Sequence, residues 1–213
     1  MSYTRSFLKP VFDRLVAALV LTLSSPLWLA AAIAIRWSLG APVLFRQLRP
    51  GYQGRPFMLF KFRTMRDARD RNGVTLPDAD RLTRLGRLLR SMSIDELPQL
   101  WNVIRGEMSL VGPRPLLMRY LDRYTPEQAR RHDVLPGITG WTQVNGRNAL
   151  NWEEKFTMDA WYVDHWSLWL DAKILGMTVL RVLRRDGISN QDHATMPEFM
   201  GLNTMTDMRN EQR

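Results

Sequence analysis

Between Arg14 and Arg36 the chain reads LVAALVLTLSSPLWLAAAIAI, 21 consecutive residues without a formal charge. At about 1.5 Å per residue, a straight helix of this length would just cross a ~30 Å hydrocarbon layer. Ser24, Ser25 and Pro26 stand at its middle. Proline removes a backbone donor and clashes with the carbonyl four residues before it, so the run predicts two apolar helical arms joined by a bend. Each arm, at about ten residues, covers about half the layer. Arg5, Lys9 and Arg14 precede the run, and Arg36, Arg46 and Arg49 follow it. By the positive-inside rule both flanks read as cytoplasmic. That favours a re-entrant hairpin over a kinked spanning helix or a cleaved signal peptide, with the Ser24 and Ser25 hydroxyls serving backbone groups at the bend.

Beyond this run the apolar periods shorten. Residues 43–62 hold two apolar stretches around a Pro/Gly-rich turn, which predicts a β-hairpin. Residues 66–80 are charged and predict a surface loop. Over 80–91, Leu82, Leu85, Leu88 and Leu89 share one arc of a predicted helix, and Arg81, Arg84, Arg87 and Arg90 wind across about half its surface. Ser93-Ile94-Asp95-Glu96 reads as a capping box opening a helix that carries Leu97, Leu100, Trp101 and Ile104 and ends near Gly106. Residues 109–116 predict a stiff turn with two prolines around Arg114, and Thr125-Pro126-Glu127 opens a short helix. Residues 134–147 read as a Gly-rich loop without helical period, and 150–163 as a helix. Residues 166–185 form an amphipathic segment, basic at its end, suited to a membrane surface or to closing a core. From about Gly187 the chain is polar and is expected to be mobile. The fold expected is mainly α with a short β-hairpin. A re-entrant membrane helix occupies 1–38, a cytoplasmic-face domain with amphipathic interfacial helices 39–190, and a polar tail 191–213.

The absence of cysteine excludes a disulfide framework and thiolate chemistry, and fits a reducing compartment. After the membrane segment about 175 residues remain, enough for one domain with its own core. The net charge of +9 points to anionic headgroups, phosphorylated ligands or nucleic acid. Among eight tryptophans, Trp28 and Trp37 adjoin the apolar run and Trp161, Trp166 and Trp169 cluster late, which suits a membrane–water interface. Trp101 is expected in the core. His132, His165 and His193 lack ligand-like spacing and read as surface or structural.

The chemistry centres on the adjacent carboxylates Asp95 and Glu96. Taken alone, a capping box and the helix dipole would account for them. Their company argues further. Lys61, Arg63, Arg90, Arg114 and Arg147 all fall in or beside turns or helix ends, and Arg114 and Arg147 are held by Pro or Gly neighbours. Acids able to bind Mg²⁺, beside Lys and Arg donors, are the ingredients of phosphate chemistry.

An ordered set of motifs sharpens this. It comprises Ser-Pro in a short apolar helix, KFRTM (61–65), RSMSIDELPQLWNV (90–103), SLVGPRP (109–115), PGITGWTQVNGRN (136–148) and WYVDHWSLWLDAKIL (161–175). The set resembles the bacterial sugar transferases, the monotopic phosphoglycosyl transferases that begin lipid-linked glycan assembly, and covers nearly the whole chain. The chain looks like the minimal form of that family, without further transmembrane helices ahead of the catalytic unit. The loop at 136–148, followed by a W-x-x-K-F segment, is most similar to small enzymes acting on UDP-linked N-acetylated sugars. The resemblance implies that Ser25 and Pro26 make the membrane bend. It makes Asp95 a nucleophile and Glu96 its partner, both able to hold Mg²⁺. Lys61 and Arg90 match basic residues near this dyad, Arg114 a phosphate contact, and Arg147 a residue linked to the uridine diphosphate portion. Asp159 and Asp171 match acids of the pattern without an assigned role, and Trp141, Thr142 and Trp161 look like local variation touching specificity. The activity implied is transfer of a sugar-1-phosphate from a UDP-sugar to polyprenyl (undecaprenyl) phosphate through an aspartyl-phosphosugar, with UMP released. The implied partners are these two substrates and inner-membrane lipid at the cytoplasmic face, not nucleic acid; dimerisation is left open. A membrane-anchored nucleic-acid binder or scaffold is the alternative.

Overall fold

A computed structural model describes residues 7–70, 72–146, 150–184 and 198–201. Its described part is mainly helical with a short antiparallel strand pair, as the apolar periods predict. Helices α1 (Leu8–Leu23) and α2 (Ser25–Leu39) meet at 63°. Among the described residues no single helix is long and apolar enough to cross a membrane; only the bent pair together meets that measure. The break falls at Ser24, whose hydroxyl donates to the Val20 carbonyl at 2.7 Å. Pro26 lies in the first turn of α2, where its missing N–H has no intrahelical partner to lose. Proline therefore starts the second arm and does not kink a continuous helix. Leu15, Leu19, Leu23, Leu27, Ile33 and Trp37 are exposed along the pair, an apolar surface of the kind that marks an interaction.

The other face of α1 turns inward. Lys9, read from sequence as a basic flank, is buried with its ammonium 3.0 Å from Asp13 and 2.8 Å from Asp171. Asp13 also accepts from the Ser109 hydroxyl at 2.7 Å. These contacts tie α1 to β3 (Ser109–Val111) and to α9 (Leu168–Arg184).

Strands β1 (Leu44–Pro50) and β2 (Pro56–Phe62) form the predicted hairpin, with Leu44 opposite Phe62 and Pro50 opposite Pro56. Alternation sends Phe57, Leu59 and Lys61 to one face and Met58, Phe60 and Phe62 to the other. Phe57 and Leu59 join the main core with Leu100, Val111, Tyr162 and Ile174. Phe62 joins a second core with Ile35, Leu89 and Ile94. Asn102 closes the outer edge of β2, accepting from the Phe60 amide at 3.2 Å and donating to the Met58 carbonyl at 2.7 Å.

Several expectations are corrected. The helix predicted over 80–91 is two, α3 (Asp78–Arg81) and α4 (Arg84–Ser91). Leu82 between them bridges to Met65, and Thr83 caps α4 by accepting from the Gly86 amide at 2.9 Å. A side chain at Gly86 would collide with the Thr64 carbonyl, so glycine lets α4 approach the end of β2. No capping box forms at Ser93: its φ is 56°, left-handed, and its side chain caps nothing. Residues 94–96 make one 3-10 turn, and α5 (Gln99–Ile104) starts only after Pro98. The turn at 109–116 and the loop at 134–147 conceal a second sheet. There β3 pairs in parallel with β4 (Gly137–Thr139), and α7 (Trp141–Asn145) follows. Three-residue strands are too short to show a period, and a Cβ at Gly112 or Gly137 would strike the facing backbone. Helices α6 (Pro126–Ala129) and α8 (Trp152–His165) each open on a capping box, at Thr125/Gln128 and Asn151/Glu154. Trp101, expected inside, is 50% exposed, and Trp166, expected at an interface, is buried. In the polar tail, Phe199 is 1% exposed among Tyr120, Trp152 and Phe156, so the segment carries a buried aromatic.

Candidate active site

The hairpin presents Lys61, the 3-10 turn Asp95 and Glu96, the last turn of α4 Arg90, and the Pro113-Arg114-Pro115 turn after β3 Arg114. Lys61 and Arg114 converge on Glu96. One of its oxygens, Oε1, accepts from Lys61 Nζ and from Arg114 Nη2, each at 2.7 Å. Arg90 is fixed by its Nε donating to the Thr64 hydroxyl at 3.1 Å, and its charge acts on Asp95. Ser25 and Pro26 belong to the helix break. Arg147 lies outside the described residues.

The two acids are not equivalent. Burial opposes ionisation of Glu96, but the Arg114 guanidinium and the Lys61 ammonium override it and hold this carboxyl far below the usual range. Asp95 is 8% exposed and has no hydrogen bond or ion pair among the described residues. Burial and the neighbouring Glu96 charge raise its pKa, and Lys61, Arg90 and Arg114 offset this only in part. The helix dipole that alone would account for the two acids does not begin at them, because α5 starts at Gln99. Lys61 is lowered by burial and by Arg114, against the pull of Glu96. Glu96 is thus an anchored counter-ion, and Asp95 a carboxyl of raised pKa without a side-chain partner among the described residues.

Sequence reasoning missed two supporting residues. Arg49, read as a flank of the apolar run, shares the Lys61 face of the hairpin and donates to Gln47 at 2.6 Å and to the Pro115 carbonyl at 3.3 Å. Burial, then the nearby Arg114, lowers its pKa to about 10. Thr64, buried inside KFRTM, fixes Arg90. The only signal for either was its place beside a turn or strand end. Three cations, Lys61, Arg90 and Arg114, thus act on the two carboxylates, and Arg49 lies beside Arg114, an excess of positive charge suited to a polyanion.

Asp159 and Asp171 gain positions in this frame. Asp159 accepts from Arg131 at 2.7 and 3.1 Å and from the Thr142 hydroxyl at 2.5 Å. Arg131 also donates to the Arg114 carbonyl at 2.8 Å, so Asp159 holds the support of the Arg114 turn. Asp171 accepts from the Tyr162 hydroxyl at 2.7 Å and from the Trp166 indole at 3.1 Å, besides pairing with Lys9.

For a divalent metal, no three His, Asp or Glu side chains cluster suitably among the described residues. Asp95 and the second Glu96 oxygen carry no hydrogen bond there. This fits Mg²⁺ as it is bound when one or two carboxylates share it with substrate phosphates.

The family model described as bacterial sugar transferase matches residues 4–185. A Bacillus subtilis protein named as the uncharacterized sugar transferase EpsL is 56% identical over 194 residues, covering 91% of this chain and 96% of that one. A Caulobacter vibrioides protein named UDP-glucose:undecaprenyl-phosphate glucose-1-phosphate transferase is 45% identical over 188 residues, 84% of this chain and 70% of its own. A protein of the same name from Xanthomonas campestris is 43% identical over 187 residues, 82% of this chain and 38% of that longer one.

Proposed function

The chain belongs to the bacterial sugar transferase family, and on that premise we propose that it is a phosphoglycosyl transferase moving a sugar-1-phosphate from a UDP-sugar to a polyprenyl phosphate. The observation that carries this reading is Asp95, unpaired and raised in basicity, beside a Glu96 already neutralised by Lys61 and Arg114. An Asp95 oxygen attacks the sugar-proximal phosphorus of the donor. The bond from that phosphorus to the UMP oxygen breaks, UMP leaves, and the phosphosugar stays on Asp95 as an acyl phosphate. An oxygen of the polyprenyl phosphate then attacks the same phosphorus, the bond to Asp95 breaks, and polyprenyl-diphospho-sugar is released with the carboxylate restored. Repulsion between a carboxylate and an anionic diphosphate opposes the first attack, and Lys61, Arg90 and Arg114 offset it, with Arg49 adding to the field. Asp95 and Glu96 are the residues that would hold Mg²⁺, which would supply further charge neutralisation. Arg147 is assigned to the uridine diphosphate by the motif resemblance.

The bent, outwardly apolar pair α1 and α2 supports a re-entrant anchor in the inner membrane, with both termini at the cytoplasmic face. Exposed Leu168, Trp169, Val179 and Leu180 on α9 support an interfacial setting for that helix. The lipid phosphate is then presented at headgroup height beside the dyad. The relatives do not select one sugar, since two are named for glucose and another, 39% identical, for N-acetylgalactosamine, so the donor panel includes both plain and N-acetylated UDP-sugars. The test is incubation of the purified protein with Mg²⁺ and a panel of UDP-sugars, without lipid. A stoichiometric burst of UMP and a phosphosugar adduct on Asp95, read by mass spectrometry, are expected. Absence of both for every sugar overturns the covalent mechanism.

A further inference from the structure

Beside the dyad lies an apolar groove of about 500 Å³. That volume is in the ~300–1,000 Å³ range of small-molecule pockets, yet its walls lack the few placed polar groups such pockets normally carry. Leu21 and Trp28 line it at the helix bend, Phe60 and Phe62 on the hairpin, and Leu97 and Trp101 on the segment after the dyad. The Trp28 indole N–H is spent on the Leu21 carbonyl at 3.2 Å, which leaves its ring to the groove. Trp101 is half exposed and available to an entering chain.

The two ends of the groove differ in character. One reaches the bend of the outwardly apolar helices. At the other, Leu97 follows Glu96 directly, a step of about 3.8 Å between Cα atoms. Glu96 pairs with Lys61, on one face of β2, while Leu97 lines the groove with Phe60 and Phe62, on the other, so the step from Glu96 to Leu97 joins the two faces. A ligand fitting both ends is a long hydrocarbon with a terminal phosphate. Walls without polar groups exclude the nucleotide and the sugar from this space.

We propose that the groove receives the phosphate-proximal isoprene units of the polyprenyl acceptor, with the phosphate at the Lys61, Arg90 and Arg114 end and the chain leaving past Leu21 and Trp28 into the membrane. The proposal rests on the function given above and assigns that function's second substrate a place. The same cations serve the donor diphosphate in the first half of the reaction and the acceptor phosphate in the second, and only the hydrocarbon occupies the groove.

The experiment uses the full-length protein in nanodiscs containing phosphatidylglycerol, photolysed with a diazirine-bearing short-chain polyprenyl phosphate and mapped by peptide mass spectrometry. Capture at Phe60, Leu97 or Trp101 is expected, suppressed by excess undecaprenyl phosphate and not by added phosphatidylglycerol. Capture elsewhere, or equal suppression by phosphatidylglycerol, overturns the assignment, the latter by making the groove a general acyl-chain site. Ala32 also lines the groove. Ala32→Trp fills it and should raise KM for the acceptor about tenfold, as should Trp101→Ala at its half-exposed position, with lipid-independent UMP release and the thermal midpoint unchanged. An unchanged acceptor KM in both folded variants also overturns the assignment. Should no UDP-sugar give UMP, the proposed function fails, while capture in the groove still supports a polyprenyl phosphate site.

Discussion

Asp95 and Glu96 are chemically alike and adjacent, yet their surroundings divide the work between them. Asp95→Asn keeps the volume and removes the nucleophile, so UMP release should fall by at least about 10³-fold and the adduct vanish, in a protein that unfolds at the same temperature. Glu96→Gln keeps an acceptor for Lys61 and Arg114 but not the charge that holds them. A loss of about 10²-fold in turnover is expected, with residual adduct still on Asp95, which is how a supporting group differs from the reacting one. His132 gives the molecule a separate acid sensitivity. Burial, then the neighbouring Arg131 charge, lowers its pKa to about 4, while its ring hydrogen-bonds the Gly51 carbonyl at 3.3 Å. The unfolded chain therefore binds this proton more readily. Stability is full above the ordinary histidine value near 6.5 and declines by about 3 kcal/mol as pH falls from there to about 4. Denaturant unfolding across that window should show the decline, and His132→Gln should flatten it.

Helices and strands here follow local rules until burial overrides them. The hairpin, α6 and α8 were legible because alternation, a Pro/Gly turn and capping residues act over a few positions. The predicted single helix over 80–91 fails because Leu82 is drawn into a bridge with Met65, a partner 17 positions away that no periodicity reveals. Strands β3 and β4 were illegible for a related reason, since each becomes a strand only when the other is present. Helix α1 shows the energetic side. Its buried Lys9 pairs with both Asp13 and Asp171, so Lys9→Met leaves two carboxylates buried without that cation and should cost about 3–5 kcal/mol. Arg105→Met removes one partner of the more exposed Arg105–Glu107 pair and should cost under about 1 kcal/mol. Unfolding of both variants in the same detergent compares the two; equal losses would mean that the Lys9 cluster contributes no more than a surface pair.

For the molecule as a whole, the proposed re-entrant anchor makes the bend at Ser24 decide where the chain ends lie. Because the chain has no cysteine, Ser6→Cys and Gln212→Cys each introduce a single thiol for labelling. In sealed inverted vesicles both should react with a membrane-impermeant maleimide; protection of one and not the other would identify a spanning helix and overturn the re-entrant reading. Much of this architecture could be read before any coordinates. A charge-free run broken by Ser-Ser-Pro, alternating apolar strands and turn-forming residues are nearest-neighbour properties, and the motif set with its acids and cations stands in plain order along the chain. The pairing within the site could not be read in that way. Lys61 and Glu96 are 35 positions apart, Arg114 lies 18 beyond Glu96, and Arg49 and Thr64 come from either side of the hairpin. Which acid is anchored and which left bare depends on who else is buried beside it. That is a matter of long-range packing and desolvation, to which the identity of adjacent residues is blind.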